Sequence, residues 1–130
     1  MIVVDTSALV SVLAASDADP LLVDRVGSAG SLHAPHLLDT EFAHALRGLA
    51  RAGLSPKRAA LALHDLADLP ILRYPALGLL ERIWQLRHQL TAYDATFVAL
   101  AEALDVPLVT CDAKLSRARH RAAVEVFGPA

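Results

Sequence analysis

Short apolar runs separated by longer stretches of helical periodicity set the tightest limit on how this chain can fold. The runs "IVVD" (2–5), Leu32 to Ala34, "PILRY" (70–74), "VPLVT" (106–110) and "AVEVF" (123–127) have the length and residue types of strands. Between them, helical patterns extend from about Ser7 to Ala15, over 19–29, from His36 to Ala52, from Ser55 to Leu69, over 76–90 and from Thr91 to Asp105, and a short helix follows Asp112. Ser55 followed by Pro56 is an N-cap with proline at the first helical position. Leu38, Phe42, Ala45, Leu46 and Leu49 share one face of the third helix, and Tyr93, Phe97, Leu100, Ala101 and Leu104 share one face of the helix after Thr91. Parallel strands need long crossovers, usually helical. The alternation therefore predicts an α/β fold, a mostly parallel five-stranded sheet with helices on both faces and right-handed connections. The functional crevice of such a sheet lies beyond the carboxyl ends of its strands.

With 130 residues and no linker-like or repetitive stretch, the chain reads as a single domain over 1–130. Its one cysteine, Cys111, excludes an internal disulfide and makes thiolate metal ligation a poor expectation. No basic segment of a signal peptide precedes the first apolar run, and no run approaches the ~18 apolar residues of a membrane span. The expectation is a soluble cytoplasmic protein with no membrane contact. A net charge of −2 advertises no global affinity for nucleic acid, but basic residues cluster at Arg47, Arg51, Lys57 and Arg58 and again at Lys114, Arg117, Arg119 and Arg121. Hydrophobic residues make up 55% of the chain, with a mean hydropathy of +0.42, which suggests an apolar surface covered by a partner or a second copy.

Four carboxylates stand where the alternation places the crevice. Asp5 ends the first apolar run and Asp112 follows "VPLVT". Each is also a good N-cap for the helix that comes next, so position alone leaves both roles open. Asp94 lies three residues after Thr91, as in a capping box, yet falls about 60° from Phe97 around the helix, toward the apolar side. Glu41 sits at the border of the apolar face of the third helix. If these four converge, their repulsion must be relieved, and a hard divalent cation such as Mg²⁺ suits an all-oxygen set. An ion so held activates water and stabilises the charge that develops on a phosphodiester during in-line displacement.

Other chemistries lack their residues. The six histidines show no HxH or HExxH spacing, and no P-loop, GxGxxG or GxSxG is present. The ordered set "VVDTSALV", "DTEFAHALR", "TAYDATFVALA" and "LVTCDAKL" resembles the PIN-domain family, specifically its VapC-like ribonuclease toxins, over nearly the whole chain. The resemblance implies a three-layer α/β/α fold with strand order 3-2-1-4-5. It implies a Mg²⁺- or Mn²⁺-dependent endoribonuclease whose acidic quartet is Asp5, Glu41, Asp94 and Asp112. It places hydroxyls near the metal at Thr110 and at Thr6 or Ser7, and it puts His44 where relatives commonly carry asparagine. A homodimer and a small antitoxin that occupies the active-site groove are implied as partners. Arg117, Arg119 and Arg121 are the candidates for RNA contact. The alternatives are a PIN-type RNA-processing nuclease that is not a toxin, and a catalytically silent α/β module that binds RNA or protein.

Overall fold

Strand β1 (Ile2–Val4) is buried along its whole length and hydrogen-bonded on both sides, which makes it the centre of the sheet in this computed structural model, which describes residues 1–128. Val3 N–H donates to Pro107 O at 2.9 Å and Ile2 N–H to Ser31 O at 3.2 Å, toward the two neighbouring strands. Those neighbours are β2 (Leu32–Pro35) and β4 (Leu108–Thr110), with β3 (Ile71–Tyr74) and β5 (Val124–Val126) at the edges. The order is β3-β2-β1-β4-β5, and every pairing is parallel, as expected. β1, β2 and β4, buried on both faces, need no alternation of polar and apolar residues, which is why those runs are continuous.

The connections β1→β2 and β2→β3 step one way across the sheet, and β3→β4 steps back. Right-handed crossovers therefore put their helices on opposite faces. Helix α1 (Thr6–Ala14) touches α2 (Pro20–Gly27), α3 (Leu37–Arg51) and α4 (Pro56–Asp68) on one side. On the other, α5 (Leu80–Gln85) packs on α6 (Ala92–Leu104), which lies over β1, β2 and β4; a short α7 (Lys114–Arg117) precedes β5. The change of direction falls between β1 and β4, so a crevice opens there at their carboxyl ends.

Helix α3 reaches the crevice edge because both of its margins are tied. Leu38, Phe42 and Leu46 are buried at i, i+4, i+8, and burial of the Phe42 side chain alone is worth about 2–3 kcal/mol. At its first turn, Arg73 of β3 grips Asp39 with two hydrogen bonds of 2.7 and 2.9 Å.

Three expectations change. Residues 76–90 are not one helix: a 3-10 turn at Leu77–Leu79 leads into α5, and beyond it the Leu86 carbonyl accepts from both Gln89 N–H and Leu90 N–H at 3.0 Å, which tightens the chain into turns. On α3, Leu49 is 36% exposed, because it lines a groove instead of the core. On α6, Ala95 to Ala101 are buried all round the helix, whereas Tyr93 is 61% exposed. Sheet and α5 together enclose the middle of α6, so its single apolar stripe widens into a collar.

Candidate active site

Asp5, Glu41, Asp94 and Asp112 line one cleft of about 270 Å³ at the carboxyl ends of β1 and β4, together with Thr6, Ser7, His44, Ala45 and Phe97. Four separated segments supply the acids. Asp5 leaves β1 with its backbone N–H bonded to Val109 O of β4 at 3.1 Å, and Asp112 lies two residues beyond β4. Glu41 comes from α3, and Asp94 from the first turn of α6.

Asp5 is the buried member, at 7% exposure. Its Oδ1 accepts from Ala8 N–H at 3.0 Å and from the Ser7 hydroxyl at 2.7 Å, and its Oδ2 accepts from the Thr110 hydroxyl at 2.5 Å. Capping and the cleft are therefore compatible: Asp5 caps α1 and faces the site with the same carboxylate. Burial pushes its pKa above the ordinary carboxylate value; the bonds from Thr110, Ala8 and Ser7 oppose that shift, and the charge of Asp112 adds to it.

The hydroxyls divide the work. Thr6 donates to Glu41 Oε1 at 2.7 Å, whereas Ser7 serves Asp5 and also accepts from Cys111 N–H at 3.0 Å. Thr110 bonds Asp5 and accepts from Asp112 N–H at 2.9 Å. Asp94 N–H bonds Thr91 Oγ1 at 3.2 Å, but the reciprocal half of a capping box is not formed among the described residues. The Asp94 carboxylate turns instead to Lys114, whose Nζ stands 3.3 Å away, and 3.5 Å from Asp112 Oδ2. Contact with these two carboxylates, Asp94 first, holds the Lys114 pKa above its usual value. His44 lines the cleft but is exposed and makes no hydrogen bond to its carboxylates.

Continuous with the cleft through Thr6, Ser7, Ala45 and Asp112 runs a groove of about 1100 Å³. Val10, Ala14, Leu49 and Leu54 give it an apolar floor, and Arg117 lines it beside Asp112. The other two candidate arginines stand elsewhere. Arg119 is exposed, with its backbone N–H and carbonyl held by the Gln89 amide. Arg121 pairs with Glu102 near the far end of α6, Nη2 to Oε1 at 3.5 Å, alongside the two-bond contact from Arg82. Cys111 lines the groove, and burial followed by the charge of Asp5 raises its pKa, which keeps it a neutral thiol.

A PIN-domain family model matches residues 2–121. The chain belongs to the PIN-domain family. It is 47% identical over 117 residues to a VapC ribonuclease of Mycobacterium bovis, covering 89% of each chain. Among solved structures, PAE2754 of Pyrobaculum aerophilum is similar with a TM-score of 0.69 and 27% identity, over 95% of this chain and 81% of that one. VapBC-5 of Mycobacterium tuberculosis, a member of the VapBC family of toxin-antitoxin systems, shares the fold with a TM-score of 0.61 and 19% identity, over 96% of this chain and 95% of that one.

The donor set of this PIN domain suits a hard cation. The cleft offers carboxylate oxygens, and its volume leaves room for the waters that Mg²⁺ retains. Among the described residues no three His, Cys, Asp or Glu side chains are already gathered at ligand distance. Their present partners explain why: Asp5 is turned to Thr110 and Ser7, Glu41 to Thr6, and Asp94 and Asp112 to Lys114. Lys114 was legible only as part of a basic cluster. Its spacing, two residues after Asp112 at the start of a helix, is the signal that ties it to the site.

Proposed function

We propose that this PIN domain is an endoribonuclease that depends on a divalent cation, with Mg²⁺ as resident ion and Mn²⁺ as a substitute, and that it is the toxin of a cytoplasmic toxin–antitoxin pair. The convergence of Asp5, Glu41, Asp94 and Asp112 on one cleft carries this reading. The similarity to a VapC ribonuclease over 89% of the chain supports the substrate class.

Asp5, Asp94 and Asp112 are the residues to hold the ion, directly or through water, with Glu41 as a further ligand or as the base that orients the attacking water. When bound, the ion neutralises the clustered carboxylates, activates water and stabilises charge at phosphorus. The chain's own task is to keep these groups in place. Thr110 and Ser7 fix the Asp5 carboxylate, and Thr6 fixes Glu41. His44 is exposed at the cleft and offers a ring N–H to water or a phosphate oxygen. Arg117 lines the groove and is placed to contact an RNA backbone entering along it.

The groove suits an apolar segment of an antitoxin, which would cover the cleft from Leu49 to Asp112 and exclude RNA. A homodimer accounts for the exposed side chains of Leu77, Leu80 and Trp84 around α5.

Purified protein incubated with a structured RNA and Mg²⁺ is expected to cleave it, and to lose the activity with EDTA or in Asp94→Asn. Cleavage that survives both changes overturns the mechanism. Growth arrest on expression, relieved by coexpression of a neighbouring small gene, separates a toxin from an RNA-processing enzyme of the same chemistry.

A further inference from the structure

The cleft contains a cation of the chain's own, the ammonium of Lys114. Its Nζ lies 3.3 Å from Asp94 Oδ2 and 3.5 Å from Asp112 Oδ2, bridging α6 and the segment after β4. The root of the side chain is fixed, since Lys114 N–H donates to Asp112 Oδ1 at 3.1 Å. Its far end is not packed in place: the side chain is 58% exposed, so the ammonium can leave without opening a cavity. Asp94 and Asp112 are also the least enclosed acids with an ion pair in the cleft, with side chains 28% and 36% exposed.

We propose that Lys114 is an exchangeable counter-ion of the carboxylate cleft, which competes with the divalent cation for Asp94 and Asp112 and thereby sets the concentration at which the chain loads metal. This rests on the reading of those carboxylates as ligands. Two effects act in one direction. The ammonium neutralises part of the repulsion between Asp94 and Asp112 and so stabilises the empty cleft, and its charge repels an incoming cation. A lysine that merely pinned α7 to the site would leave metal affinity unchanged, or weaken it when removed. Arg117, in the adjoining groove, remains in every variant.

Titration of Mn²⁺ into the metal-free protein by calorimetry, with no RNA present, separates these roles. Lys114→Met and Lys114→Gln are each expected to bind Mn²⁺ about three- to tenfold more tightly than the parent, the scale set by two solvent-screened ion pairs. Lys114→Arg keeps the charge and is expected to stay within about twofold of the parent. Loss of the titration in Asp94→Asn assigns the heat to the cleft. If the parent binds Mn²⁺ and the Met and Gln variants bind equally or less tightly, the proposal is overturned while the ligand reading stands. A gain in Lys114→Arg as large as in Lys114→Met also overturns it. If neither parent nor variants bind Mn²⁺, the ligand reading itself falls and the proposal with it.

Discussion

Asp5 and Thr110, 105 residues apart in sequence, meet at 2.5 Å, where the threonine hydroxyl donates to Asp5 Oδ2 across the carboxyl ends of β1 and β4. The Thr110 hydroxyl oxygen in turn accepts from Asp112 N–H at 2.9 Å. One side chain therefore sets both the carboxylate of the first acid and the backbone of the last. Parallel pairing of β1 with β4 makes this possible, because it brings both strand ends to the same edge.

Replacing Thr110 with valine keeps the shape and removes both bonds. Asp5 then loses its shortest donor, and Asp112 N–H loses its acceptor. The expected loss is about 2–3 kcal/mol in unfolding free energy by urea denaturation, with at least a tenfold drop in RNA cleavage. Thr110→Ser, which retains the hydroxyl, is expected to recover most of both. Equal stability in parent and Thr110→Val would remove Thr110 from its organising role.

Ionisation of Asp5 costs folding stability. Burial raises its pKa in the folded state, so the ionised carboxylate is less welcome there than in the unfolded chain. For an acid shifted upward, stability is reduced above the folded pKa and recovered as pH falls through it. Asp5→Asn, neutral at every pH, is thus expected to melt at or above the parent's temperature without metal, yet to lose cleavage. Added Mn²⁺ is expected to raise the melting temperature of the parent and not of the variant. A variant that melts well below the parent would show that the hydrogen bonds to Asp5 outweigh its desolvation.

The sheet was legible because its strands are short, apolar and spaced by helices, and a doubly covered parallel sheet leaves little else for such runs to do. The acids were legible as a set because two of them, Asp5 and Asp112, closely follow strand ends. Lys114 was legible only through its spacing from Asp112, because its own segment gives no sign of Asp94 on α6, the carboxylate its ammonium also meets. Leu49 reads as core by its helical spacing, but spacing reports the face of a helix and not what covers that face, which at Leu49 is an open groove. The arginines failed to separate because spacing does not report their partners: Arg117 and Arg121 lie four residues apart, yet one lines the groove and the other pairs with Glu102 on α6.

Stability is expected to fall in mild acid through His33. Its ring is buried between Ser31 Oγ at 2.9 Å and Tyr74 Oη at 2.7 Å, and burial, followed by the nearby N-terminal ammonium, lowers its pKa. Above the unfolded value of about 6.5 the ring is neutral in both states and pH has no effect through it. Below that value the unfolded chain takes up the proton first, so stability declines as pH drops toward the folded pKa, by at most about 1.4 kcal/mol per unit. Thermal melts from about pH 7 to about pH 5 should slope downward in the parent and less so in His33→Gln. Identical slopes would locate the acid sensitivity elsewhere.

Arg117 and Arg121 should separate by phenotype. Arg117 lines the groove beside Asp112, whereas Arg121 is spent on Glu102, a carboxylate whose side chain is only 4% exposed and is already gripped by Arg82. Arg117→Ala is expected to weaken binding of a structured RNA and to reduce the slope of log affinity against log salt by about one, the signature of one lost phosphate contact. Arg121→Ala is expected to leave both affinity and slope unchanged. Filter binding over a salt series in EDTA, which blocks cleavage, reads both quantities. If Arg121→Ala carries the salt effect and Arg117→Ala does not, RNA enters over the far end of α6 and not along the groove.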